Sequence, residues 1–250
     1  MCSINHDKKA IFIHITKTGG TYIHENLTNF YGFKHFLITR PDHESFCNID
    51  IQKNNIDYYE EKIIPYNHVA NRKHGFLKYF KTSNYINRMM NMNEENWNTY
   101  KIFCFIRNPY DRIISGWNYI NNVLEKKVTF ENFIEKIDNL SDFEYFITFM
   151  SQFNNMIDEN NKFRIDYLGK FENLEEDFQN ILLNIGFKKE EIIHDKDKIN
   201  NFEYDSYYNI INSQYLLDKV NEICKEDFEK FHYQKIKTYE EFIQIKPTLI

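Results

Sequence analysis

Residues 11–21 read Ile11-Phe12-Ile13-His14-Ile15-Thr16-Lys17-Thr18-Gly19-Gly20-Thr21. The first five are β-branched or aromatic apart from one histidine, which predicts a short buried strand. The adjacent glycines that follow allow a tight loop and a close backbone approach to a ligand. Beyond them Tyr22 to Phe30 can turn helical, so the local order is strand, loop, helix. Of the seven glycines in the chain, two stand together at this junction, which marks it as a place built for something other than packing.

The same order recurs further on. Lys101-Ile102-Phe103-Cys104-Phe105-Ile106 is a second apolar run, stopped by Arg107-Asn108-Pro109 and followed by a helical pattern from Tyr110 to Leu124. Helical patterns also cover Phe76 to Met92, Phe130 to Lys136, Asp142 to Met150 and Leu174 to Asn184, the last ended by Gly186. Phe163 to Leu168 reads as a strand, and Ser213 to Phe231 as a charged helix. Continuous apolar strands alternating with helices predict an α/β fold: one P-loop-like domain over residues 1–250, with a central parallel sheet flanked by helices and ligands at the carboxyl ends of its strands.

The 250 residues suffice for one sizeable core. A formal net charge of -6 argues against a nucleic-acid partner, because nonspecific binding of polyanions rests on many Lys and Arg contacts. Any anion site must therefore be local. Cys2, Cys47, Cys104 and Cys224 are widely spaced and form no Cys-x-x-Cys pair, so neither a disulfide framework nor a zinc site is indicated. Ile11 to Ile15 is too short for a signal segment or a membrane span, and a cytoplasmic enzyme without an integral membrane segment is expected.

At the first junction, helix-start amides, the Lys17 ammonium and the hydroxyls of Thr18 and Thr21 converge on one point, which is the chemistry of an anion cradle. The Gly-Lys-Ser/Thr order of a Walker loop is absent, since Lys17 precedes the glycines. At the second junction Arg107 can pair bidentately with phosphate, and Ser115 lies about two turns into the following helix. Pro109 near that helix start sacrifices no hydrogen bond. The alternatives are a structural ion pair for Arg107 and a packing role for Ser115, and Asp111 and Arg112 can pair with each other or with neighbours.

Together these segments resemble the sulfotransferases that use 3′-phosphoadenosine 5′-phosphosulfate (PAPS): Ile11 to Thr21 is similar to their 5′-phosphosulfate loop and Phe103 to Ser115 to their 3′-phosphate segment. Asp166 to Phe178, Tyr204 to Tyr208 and Asp227 to Tyr233 resemble the carbohydrate branch, so the likeness runs from about residue 10 to 233. Thr16 stands where that family commonly has proline, and Lys170 where it commonly has arginine.

The resemblance implies a PAPS donor, no metal, and a glycan or glycoconjugate acceptor. It implies that Lys17, with Thr18, Gly19, Gly20, Thr21 and Tyr22, holds the 5′ end, and that Arg107 and Ser115 hold the 3′-phosphate. Lys17 is then catalytic at the leaving phosphate. The general base is expected among His14, His35, His43, His68 and His74. His74, within Asn71-Arg72-Lys73-His74-Gly75-Phe76-Leu77, resembles the family's acceptor-side histidine, with His68 next in order and His14 read as structural. Gln152 resembles an acceptor-side glutamine, and a helix-surface amide is the alternative. Two rival functions are an ATP-dependent kinase-like transferase, which predicts magnesium dependence, and a nucleotide-binding module without turnover.

Overall fold

The computed structural model describes residues 2–36, 98–122, 127–137, 151–157, 162–193 and 208–245. They form an α/β chain with five strands in one sheet: β1 (Cys2–Asn5), β2 (Ala10–Ile13), β3 (Lys34–Phe36), β4 (Lys101–Ile106) and β5 (Tyr167–Lys170), ordered β3-β1-β2-β4-β5. The helices are α1 (Gly20–Phe30), α2 (Pro109–Asn122), α3 (Phe130–Ile137), α4 (Leu174–Asn184), α5 (Gln214–Ile223), α6 (Lys225–Phe231) and α7 (Tyr239–Ile245). No described helix is long and apolar enough to cross a membrane.

The chain divides into two compact units interleaved in sequence. The first holds Met1–His14, His24–Cys104 and Asn154–Tyr167; the second holds Ile15–Ile23, Phe105–Phe153 and Leu168–Ile250.

In the first unit β2 pairs with β4 in parallel, Ile13 opposite Cys104, and this is the parallel centre expected from two uninterrupted apolar runs. Residues Ala10 to Ile13 are at most 1% exposed, as a strand covered on both faces must be. The sheet is mixed rather than wholly parallel, because β1 runs antiparallel to both β2 and β3. β1 escapes a periodicity reading: it is four residues long and sits in a polar, charged context. Its turn is fixed locally, with Lys9 in the left-handed region at φ 49 and the Asn5 side-chain oxygen accepting the Lys8 N–H at 2.8 Å.

In the second unit α2 contributes Tyr110, Ile113 and Ile114 to a core shared with Phe133, Leu217, Val220, Phe228 and Phe242. Tyr110 enters this core without stranding its hydroxyl: it donates to Asn221 Oδ1 at 2.6 Å and accepts the Ile236 N–H at 2.9 Å. The charged helix expected over Ser213 to Phe231 is two helices, α5 and α6, separated at Cys224. Ser213 caps α5 by accepting the Leu216 N–H, and His232 ends α6 in a left-handed conformation at φ 57. The helix expected over Leu174 to Asn184 has those bounds, whereas those over Phe76 to Met92 and Asp142 to Met150 lie outside the described residues.

Candidate functional site

All described groups of the candidate site fall within the second unit. The loop from Ile15 to Gly19 is closed by Thr18, whose buried hydroxyl donates to the Ile15 carbonyl at 2.8 Å. That hydroxyl proton is therefore committed to the loop, and what Thr18 offers outward is backbone. Helix α1 starts at Gly20, with the Ile23 N–H donating to the Gly19 carbonyl at 3.2 Å. The amides of its first turn, Gly20 and Thr21 among them, have no acceptor within the helix, which leaves a partial positive charge at its start. The Tyr22 side chain is buried, its ring 6.4 Å from that of Phe178, so it is a packing group.

Two residues of the loop are in left-handed backbone, Lys17 at φ 66 and Gly19 at φ 79. For glycine this is free of strain, but a lysine there costs about 1–2 kcal/mol. Lys17 is half-buried, its ammonium 4.7 Å from the centre of the Tyr119 ring. Burial first, and the neighbouring positive charge of Arg107 second, pull its pKa down to about 8. A cation held against another cation in a partly dry place is poised for an anion.

Gly19 has a further constraint: a Cβ built on it would lie 2.9 Å from Phe171 Cδ2. We therefore expect Gly19→Ala to destabilise the protein by about 2–4 kcal/mol, the sum of left-handed strain and overpacking. Thermal unfolding checks this, and an unchanged melting temperature would contradict the loop conformation.

Arg107 follows β4 and is only 6% exposed. Its guanidinium lies over the Phe171 ring at 4.1 Å, and its Nε is buried with no hydrogen-bond partner among the described residues. Leaving a charged donor without an acceptor in a buried place costs free energy that an incoming oxyanion recovers. Just beyond it, Asn108 starts α2, its side-chain oxygen accepting the Tyr110 N–H at 3.0 Å. The Asn108 N–H donates to Glu172 Oε1 at 2.5 Å, and the Tyr233 hydroxyl donates to Glu172 Oε2 at 2.9 Å.

Along α2, Arg112, Ser115 and Tyr119 are spaced by three and four residues and share one face. Arg112 Nε donates to the Thr16 carbonyl at 3.1 Å, while Tyr119 meets Lys17. Ser115, between them and 8% exposed, therefore lies on the face turned to the loop. Arg112 forms an ion pair with a distant residue, Asp227, at 3.7 Å, both side chains at most 4% exposed.

Gln152 is not a surface amide. It is fully buried, accepting the Arg107 N–H at 2.8 Å and donating to the Arg107 carbonyl at 3.0 Å. Phe171 and Asp227 sit in segments whose family likeness was visible, but nothing in the linear pattern showed that they touch Gly19, Arg107 or Arg112. His74, His68 and His43 lie outside the described residues, and His35 is a residue of β3. His14, in the first unit, stacks on Phe12 with ring centres 6.0 Å apart. Among the described residues no group of three or more His, Cys, Asp and Glu side chains is gathered as a metal site would be.

Residues 2–234 match the sequence model of the sulfotransferase family. An uncharacterized protein of Archaeoglobus fulgidus is 28% identical over 113 residues, covering 45% of this chain and 86% of that protein. No solved structure matches the chain.

Proposed function

The chain belongs to the sulfotransferase family, and from that premise we propose that it transfers a sulfuryl group from PAPS to a hydroxyl of a carbohydrate acceptor. The observation that carries the donor assignment is Arg107: buried, laid over Phe171, its Nε without a hydrogen-bond partner among the described residues, at the end of the strand beside the Lys17 loop. Such a group fits an oxyanion better than any neutral ligand. On this reading Lys17 and the amides from Thr18 to Tyr22 hold the 5′ end, and Arg107 with Ser115 holds the 3′-phosphate.

PAPS supplies the sulfuryl group, and adenosine 3′,5′-bisphosphate is what remains after transfer. The Lys17 ammonium and the first-turn amides of α1 neutralise charge that develops on the 5′-phosphate oxygen, a role that requires no metal. The acceptor proton passes to a base, for which His74 is the proposed residue and His68 the alternative. The carbohydrate assignment rests on the likeness of Asp166 to Phe178 and Asp227 to Tyr233 to that branch.

Calorimetric titration without magnesium tests the donor site. Adenosine 3′,5′-bisphosphate is expected to bind more tightly than 5′-AMP, and Arg107→Ala to weaken it by about 10–100-fold, the value of a buried charge-assisted pair. Equal or tighter binding of Mg-ATP, with no 3′-phosphate preference, would favour the kinase-like reading instead. Donor binding with no transfer to any sugar hydroxyl would identify a nucleotide-binding module.

A further inference from the structure

Arg112, Asp227 and Gln152 form a buried polar relay that begins on one proposed phosphate segment and ends on the other. Arg112 reaches Thr16 twice, from Nε to the carbonyl at 3.1 Å and from Nη2 to the side-chain oxygen at 3.4 Å. Its Nη1 faces Asp227 Oδ2 at 3.7 Å. The same carboxylate oxygen accepts from Gln152 Nε2 at 3.2 Å. Gln152 then holds both sides of the Arg107 backbone, accepting its N–H and donating to its carbonyl. The other oxygen, Asp227 Oδ1, accepts the Ser151 hydroxyl at 2.8 Å and the Phe153 N–H at 3.2 Å.

Three features set this apart from an ordinary buried ion pair. Gln152, Asp227 and Arg112 are 0%, 1% and 4% exposed, so the contacts of Gln152 with Arg107 and Asp227, and the Arg112–Asp227 pair, are made away from water, where broken polar contacts are costly. The Gln152 amide can be oriented in only one way, because its nitrogen faces two acceptors and its oxygen faces a donor. Thr16 supplies a hydroxyl to Arg112 at the position where related sulfotransferases commonly carry proline, which has none.

We infer that Asp227 and Gln152 are positioning residues: through Arg112 and through the Arg107 backbone they fix the 5′ loop and the 3′-phosphate arginine in one register, so the site reads the spacing between two phosphates. Neither residue touches the nucleotide. Gln152 acts on the direction in which Arg107 leaves β4, and Arg112 acts on the loop that carries Lys17. Asp227 joins the two. The inference rests on the donor assignment above.

The test is the ratio of the dissociation constants of 5′-AMP and adenosine 3′,5′-bisphosphate, measured by calorimetry on the full chain and its variants. Gln152→Met keeps the length of the side chain and removes every contact to Arg107 and Asp227. It is expected to lower that ratio at least about tenfold while changing 5′-AMP affinity by less than about threefold. Arg112→Lys, which keeps the charge but reaches Thr16 with a single point donor, is expected to weaken both nucleotides together and leave the ratio unchanged. Asp227→Asn is expected to do both. If Gln152→Met does not fold, Gln152→Asn retains an amide one methylene short, and a ratio lowered about threefold supports the same role. A Gln152 variant that folds and weakens both nucleotides equally, or neither, overturns the inference and leaves the relay a stability element. Wild-type protein with no preference for the 3′-phosphate overturns the donor assignment itself, an outcome visible before any variant is made.

Discussion

Lys17→Met is expected to reduce turnover by about 10²–10³-fold while leaving the protein no less stable than the parent. The first part follows from the proposed role, since methionine fills much of the same space without a charge to follow the leaving phosphate. The second follows from the site. Lys17 is held half-buried beside Arg107, and its pKa falls from 10.5 to about 8. A base whose folded pKa lies below its unfolded value destabilises the folded state while it is protonated in both. That penalty is fully present below about pH 8 and fades as pH rises toward 10.5.

Removing the charge therefore relieves the nucleotide-free protein at neutral pH, and the parent should close the gap in melting temperature as pH rises from 8 toward 10.5. Nucleotide affinity should move the opposite way. Above about pH 8 the ammonium loses its proton and binding of the bisphosphate weakens, a dependence that disappears in the variant. Turnover, calorimetry and thermal melts across this range check the three parts together. A variant that keeps turnover within about fivefold of the parent would take Lys17 out of the leaving-group role.

His74→Ala is expected to lower turnover by about 10²–10⁴-fold, the usual contribution of a positioned general base. A sugar hydroxyl is a weak acid, and it becomes a competent nucleophile only as its proton leaves. Histidine can take that proton at neutral pH because its ordinary pKa of about 6.5 leaves the ring largely neutral there. The rate should accordingly fall on the acid side as the base becomes protonated. That limb of the pH profile of kcat/KM should vanish in His74→Ala, whereas affinity for adenosine 3′,5′-bisphosphate should not change, because the base serves the acceptor. A loss below about fivefold moves the role to His68. Weakened bisphosphate binding would instead place His74 on the donor side.

The residues of the two proposed phosphate segments were legible because each segment is continuous. Strand, loop and helix follow one another from Ile11 to Phe30 and from Lys101 to Asn122, and the conformations they need are set by neighbours in the chain: apolar β-branched runs, a glycine free to adopt φ 79, an asparagine cap, a proline at a helix start. The same locality gave Leu174 to Asn184 its bounds. It did not reveal β1, too short to show a period, nor the break at Cys224, where the helical pattern continues through a change of element.

The linear order also showed that Lys17, Arg107 and Ser115 could serve phosphates, but not how they are held. Gln152 lies 45 residues from Arg107 and 75 from Asp227, and Arg112 lies 96 from Thr16. A glutamine read in isolation has the same side chain whether it faces solvent, an acceptor or a backbone, and burial alone distinguishes these. The sequence by itself determined the chemistry available at each junction, because that depends on residue type and local backbone. Only the tertiary structure decided which groups are already satisfied. Thr18 spends its hydroxyl proton on Ile15 and Gln152 its whole amide on Arg107 and Asp227, while Arg107 Nε is left buried without a hydrogen-bond partner among the described residues, because hydrogen bonds between distant residues exist only once the chain has folded.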